Sequence, residues 1–268
     1  MCPRHPCPGG CIDDATRLIC PERVACGAAI ILLRVSADEV QDRARLTPQR
    51  RGVVLIIRSA FVSAWVLLAA PSFAQDIIVI GDSIMDWNGQ DSIPAGLSQE
   101  LGVPVDDRSV AGAQISAGPL DRLQGLDIRA QLGEDRPDVL VMTGGGNDLG
   151  EACRCEEGCA AEVDVLLAED GQGELGGFLQ EVVADGTHVF VLGYADPPTG
   201  GNEFSGCIPH LRTLAERLEA IPGVTLVPVH NAIDPADSTL YDSDRVHPSV
   251  RGSSVMADLL ADAIANAR

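Results

Sequence analysis

Asp76-Ile77-Ile78-Val79-Ile80 runs directly into Gly81-Asp82-Ser83-Ile84, and this junction decides the fold. Four successive β-branched residues leave no polar face, the pattern of a strand buried on both sides, as in a parallel sheet covered by helices. Outward from it, three similar runs follow, 138–142 (DVLVM), 188–192 (HVFVL) and 224–229 (VTLVPV), with a weaker fifth at 103–110 that Pro104 demotes. Between them lie helix-compatible stretches at 92–101, 120–132, 162–184 with a Gly-rich interruption, and 208–220, and a last one at 249–267 with Ser249 placed as its cap. Strand and helix alternating in this way predict an α/β domain built on a mainly parallel five-stranded sheet with crossover helices. Ligand chemistry in such sheets sits at the carboxyl ends of the strands.

The chain has 268 residues, 46% hydrophobic and 22% charged, which excludes a disordered, collagen-like or coiled-coil protein. All 19 basic residues are arginine, set against 39 acids, a net charge of −20. Nucleic acid and anionic membrane surfaces are therefore poor partners. The charge is unevenly placed: residues 1–74 hold nine Arg and six acids, residues 75–268 ten Arg and 33 acids. At the boundary, Arg50, Arg51 and Arg58 precede an uncharged 11-residue run at 60–70 (AFVSAWVLLAA), then Pro71 and Ser72-Phe73-Ala74. That is the order of a secretory signal peptide over 50–74, cleaved after Ala74. The run is too short for stable membrane insertion, which takes about 20 apolar residues. Residues 1–49 have no adequate core of their own, and are expected to be an unstructured extension or to lie upstream of a true initiator near Val53 or Val54. The mature chain is expected in the periplasm or secreted.

Reactive side chains collect at the expected strand ends. Gly81-Asp82-Ser83-Ile84 follows the first strand, Ser109-Val110-Ala111-Gly112-Ala113 the second, Gly144-Gly145-Gly146-Asn147-Asp148 the third, and Asp244-Arg245-Val246-His247-Pro248 precedes the last helix. Each block alone is an ordinary turn or loop; the four in this order form a nucleophilic set. A serine hydroxyl needs a base to take its proton, and imidazole suits that work near neutral pH. A carboxylate must hold the imidazole in one tautomer, and Asp244, three residues before His247, can fold back onto the ring. A tetrahedral oxyanion needs donors, available from the Ser83 and Gly112 backbones and the Asn147 amide. Ser83, His247 and Asp244 are thus the expected catalytic residues. Asp148 is expected to brace its loop and Asp82 its turn, while Trp87 and Asn88 are candidates to line the substrate pocket. His230 is weighed mainly as a surface residue, and His188 and His210 carry no functional expectation.

These blocks resemble the SGNH, or GDSL-type, hydrolase superfamily, with Ser83, Gly112, Asn147 and His247 for its four named residues and Ile84 in place of the usual Leu. The resemblance runs from Ile77 to Ile264. It implies a flavodoxin-like three-layer αβα sandwich, no metal or organic cofactor, and two-step acyl transfer through an acyl-serine. The expected activity is that of an exported serine esterase acting on small acyl esters, thioesters or O-acetyl groups. The same residues would serve an O-acyltransferase, and the fold alone would serve a non-catalytic envelope or carbohydrate-binding module. A P-loop is absent, since Gly144-Gly145-Gly146 leads into Asn-Asp. Little chain remains for a lid, which disfavours bulky water-insoluble lipids. The acidic surface disfavours anionic substrates unless Arg108, Arg154 or Arg245 compensates. A monomer is expected.

Cys153, Cys155, Cys159 and Cys207 raise a separate question. Four thiols at this spacing could hold zinc, but export favours two disulfides. Three connectivities are possible; a Cys153–Cys155 bridge would be strained, and Cys207 is expected to be tied to one of the cluster.

Overall fold

The computed structural model describes residues 76–156 and 159–267. The expected extension 1–49 and the expected signal peptide 50–74 lie outside them. Five strands, β1 (Ile77–Ile80), β2 (Val105–Asp107), β3 (Val139–Met142), β4 (His188–Leu192) and β5 (Val224–Val227), form one sheet in the order β2-β1-β3-β4-β5. Every neighbouring pair is parallel. The helices are α1 (Ser83–Asp86), α2 (Ile93–Leu101), α3 (Pro119–Leu123), α4 (Ile128–Leu132), α5 (Gly146–Ala152), α6 (Ala160–Leu166), α7 (Glu174–Ala184), α8 (Ile208–Glu219) and α9 (Val250–Asn266). Among the described residues no helix is long and apolar enough to cross a membrane.

The three central strands bury alternate residues in two separate cores, which explains their lack of a polar face. Ile78, Ile80, Leu140, Met142, Val189 and Val191 pack with Ile128 of α4, Val163 of α6, Leu179 of α7 and Leu214 of α8. Ile77, Val79, Val139, Val141, Phe190 and Leu192 pack with Leu97 of α2 and Met256, Leu260 and Ile264 of α9. Helix, sheet and helix therefore form three layers. The chain leaves β1 toward β2 on one side of the sheet and later adds β3 on its other side, so the loops after β1 and β3 diverge and open a crevice at their carboxyl ends.

Where elements differ from the sequence expectation, glycine and proline account for it. The stretch 120–132 becomes α3 and α4 because Gly125 takes φ +80° and Asp127 then caps α4 by accepting from the Arg129 N–H. The stretch 162–184 becomes α6 and α7, parted by Gly171 and Gly173 at φ +79° and +116°. β5 stops at Val227, since Pro228 has no N–H to continue the ladder. Ser92 and Ser249 cap α2 and α9 through their hydroxyls.

Candidate active site

Ser83 opens α1 immediately after β1. Gly81 makes the turn at φ +149°, where a Cβ would lie 2.6 Å from Thr143 Oγ1 of the next loop. Asp82 caps α1 by accepting from the Ile84 N–H, and also accepts from Thr143 Oγ1 at 3.0 Å and Tyr194 Oη at 2.5 Å. Burial raises the Asp82 carboxyl, and the hydrogen bonds from Tyr194, Ile84 and Thr143 only partly oppose it. Tyr194 is pushed well above the usual phenol value by burial and by Asp82 beside it, and stays a donor.

His247 stands on the loop before α9. Its Nε2 is 2.8 Å from Ser83 Oγ and its Nδ1 is 2.6 Å from Asp244 Oδ2. The other Asp244 oxygen accepts the backbone N–H groups of Val246 and His247 at 2.9 and 3.0 Å, so a short turn fixes acid to imidazole. Burial alone would raise the Asp244 carboxyl; the hydrogen bonds from the His247 side chain and from the His247 and Val246 N–H groups outweigh it and hold the group below the usual value. Arg245 adopts φ +67°, and its guanidinium donates to the carbonyls of Thr199 and Gly201, pinning this turn to the loop after β4.

Gly112 and Asn147 face Ser83 from the loops after β2 and β3, and all three line one cavity of about 450 Å³ with His247, Trp87 and Tyr194. Gly112 is at φ +82°. One N–H of the Asn147 amide donates to the Ala113 carbonyl at 2.9 Å, tying the two loops together. Asp148 reinforces that tie by accepting from the Ile115 and Ser116 N–H groups. The rest of the wall is largely apolar, with Phe204, Leu240 and Met256 among its residues. A hydroxyl, an imidazole and a carboxylate in line, beside a glycine backbone and an amide, can perform acyl transfer.

One expectation changes at the site. Asn88 does not line the cavity: its amide donates to Pro248 O at 3.0 Å and Ser253 Oγ at 2.9 Å, which docks the turn after α1 onto the start of α9. Trp87 does line it, but lies flat on His247 with ring centroids 3.8 Å apart and planes 9° from parallel. Arg108 pairs with Asp106 and Asp135 away from the cavity, Arg245 holds its loop, and Arg154 borders a polar recess shared with Gly112 and Asn147. His230 lines a separate recess. The cysteines form two disulfides, Cys153–Cys159 and Cys155–Cys207. Sequence reading missed Thr143 and Tyr194 as partners of Asp82; their positions at the ends of β3 and β4 were the available signal.

Residues 79–255 match the profile of the GDSL-like Lipase/Acylhydrolase family. The chain belongs to that family. A relative named esterase TesA, from Pseudomonas aeruginosa, is 32% identical over 148 residues, which are 53% of this chain and 65% of the relative, so the match spans just under two thirds of that protein. Among solved structures, the lipase Lip_vut3 from a goat rumen metagenome superposes with a TM-score of 0.52 at 20% identity, covering 70% of this chain and 97% of that one. A crystal structure of TesA gives 0.49 at 22% identity, covering 71% and 98%. The likeness to Lip_vut3 is one of fold.

Proposed function

We propose that this family member is an exported serine esterase acting on small acyl esters. The observation that carries the reading is the continuous line Asp244–His247–Ser83, at 2.6 and 2.8 Å, opening into an apolar cavity bordered by Gly112 and Asn147. In this reading Ser83 Oγ attacks the ester carbonyl as His247 Nε2 takes its proton, and the Nδ1–H donates to Asp244. The oxyanion is held by the N–H groups of Ser83 and Gly112 and the second N–H of the Asn147 amide. Collapse breaks the bond to the alcohol, which leaves with the proton from His247. Water then repeats the sequence on the acyl-serine, giving the acid and free Ser83. Export is supported by the signal-like segment 50–74 and the two disulfides, which persist in oxidising compartments.

One preparation tests both parts. Protein is recovered from the periplasm or medium of expressing cells, its N-terminus is sequenced, and it is assayed on p-nitrophenyl esters from acetyl to octanoyl beside Ser83→Ala. A chain beginning at Gln75 is expected, with kcat/KM lowered roughly 10⁴-fold or more by the substitution. Retention of the N-terminal segment overturns export. Absence of turnover, together with failure of a fluorophosphonate to label Ser83, overturns the esterase.

A further inference from the structure

Two in-plane hydrogen bonds, to Ser83 and Asp244, fix where the His247 nitrogens lie but leave the ring able to tilt about the line joining them. A parallel indole 3.8 Å away removes that freedom on one face. The indole is itself anchored, because Trp87 Nε1 donates to Asp242 Oδ2 at 2.7 Å. The contacts close a circuit: Trp87 N–H donates to the Ser83 carbonyl at 3.0 Å, Asp242 N–H donates to the His247 carbonyl at 2.8 Å, and His247 returns to Ser83 through Nε2. The turn bearing the hydroxyl and the loop bearing the imidazole are thus joined a second time, through Trp87.

The stacking has an electrostatic side. An aromatic face attracts a cation within about 6 Å, indole most strongly, and in the reaction His247 becomes a cation as it takes the proton of Ser83. Donation of the indole N–H to a carboxylate draws negative charge onto the ring and strengthens that attraction. Indole–imidazole attraction would then be larger in the transition state than in the resting site, the condition for raising kcat. Resting on the serine esterase reading, we propose that Trp87 is a positioning residue for the general base: its indole, anchored by Asp242, holds the His247 ring in plane and stabilises the imidazolium.

Three variants of the full chain separate this role from packing. Trp87→Phe keeps an aromatic face, Trp87→Leu keeps bulk without one, and Asp242→Asn keeps an acceptor without the charge. The expected result is kcat about tenfold lower in Trp87→Leu with KM within twofold, Trp87→Phe within about threefold of wild type, and Asp242→Asn lowered a few-fold. Asp242 is only half-buried, so its variant keeps the test open should Trp87→Leu fail to fold. A second readout needs no turnover. Indole emission, taken as the difference between wild type and Trp87→Phe so that only Trp87 contributes whether or not the segment bearing Trp65 is retained, is followed against pH. It should drop as His247 gains its proton, persist in Asp242→Asn and vanish in His247→Asn. The other charged groups near the ring, Asp82 beneath the turn, Asp244 at Nδ1, and Asp196 and Glu203 across the cavity, are common to all these proteins. Equal kcat in Trp87→Leu and wild type, Trp87→Phe as impaired as Trp87→Leu, or an emission step that survives His247→Asn overturns the proposal. A wild type that shows the His247-dependent step yet turns over no ester leaves the pair standing and removes the esterase reading instead.

Discussion

Asp148 has both carboxylate oxygens engaged, accepting the Ile115 N–H at 3.1 Å and the Ser116 N–H at 2.7 Å. Burial nevertheless raises its pKa to about 6, the two N–H groups only partly opposing it. The folded protein therefore holds this proton more tightly than the unfolded chain, whose Asp titrates near 3.8. The stability this proton contributes is complete below about 4 and is lost as pH rises through about 6. Relative to Asp148→Asn, wild type should gain roughly 1–1.5 kcal/mol of unfolding free energy between pH 7 and pH 5. Urea unfolding of both proteins at the two pH values measures it, and a constant difference would place the ionised carboxylate comfortably in the fold. At this scale the sequence was legible where chemistry demands a residue type: Ser83, Asp244 and His247 carry their identity in short blocks. The docking of Asn88 and the anchoring of Trp87 were not legible. Their partners Pro248 and Asp242 lie 160 and 155 positions away, and only the folded chain pairs them.

The two disulfides act on elements beside the cavity. Cys153 is the C-terminal cap of α5, the helix that bears Asn147, and Cys207 directly precedes α8. Cys155–Cys207 closes a separation of 52 residues, Cys153–Cys159 one of 6. If the main effect is to restrict the unfolded chain, the first stabilises by about 4 kcal/mol and the second by about 2. Replacing Cys155 and Cys207 together by Ala should then lower stability about twice as much as replacing Cys153 and Cys159. Denaturant unfolding of the two double variants checks the order, and the reverse order would mean that the short bridge stabilises the folded loop itself. Element existence could be read from apolar runs, since β1, β3 and β4 each lack a polar face. Breaks inside the helical stretches could not be fixed, because a glycine such as Gly125 or Gly173 is tolerated in a helix or ends one according to what packs around it. The cysteine pairing was open for the same reason: sequence spacing leaves three connectivities, and the approach of Cys155 to Cys207, just before α8, selects one.

For the molecule as a whole, strand order and charge set what reaches Ser83. The parallel order β2-β1-β3-β4-β5 puts the Ser83, Gly112 and Asn147 loops on one edge of the sheet, a consequence of alternation that the apolar runs already implied. Charge is distributed otherwise. Residues 75–268 hold ten Arg against 33 acids, and Arg108, Arg122, Arg129, Arg136, Arg212, Arg217 and Arg251 are each paired to a carboxylate. The uncompensated field is negative, and Asp242, Asp244 and Glu203 stand beside the cavity or line it. Such a field acts over the screening length, about 30 Å at 0.01 M salt and about 8 Å at 0.15 M. An ester with a sulfonated leaving group should therefore be repelled at low salt, and its kcat/KM should rise several-fold between 0.01 and 0.15 M NaCl. A neutral p-nitrophenyl ester of the same acyl group should stay level, because it has no charge for the field to act on. Initial rates on the pair, taken at substrate concentrations well below KM, report binding and acylation without deacylation, and the neutral ester serves as the control for acylation itself. An anionic ester that is instead fastest at low salt would mean that Arg154, at the polar recess beside Gly112 and Asn147, outweighs the surrounding acids where the substrate enters; Arg154→Gln should then abolish that advantage and leave the neutral ester unchanged.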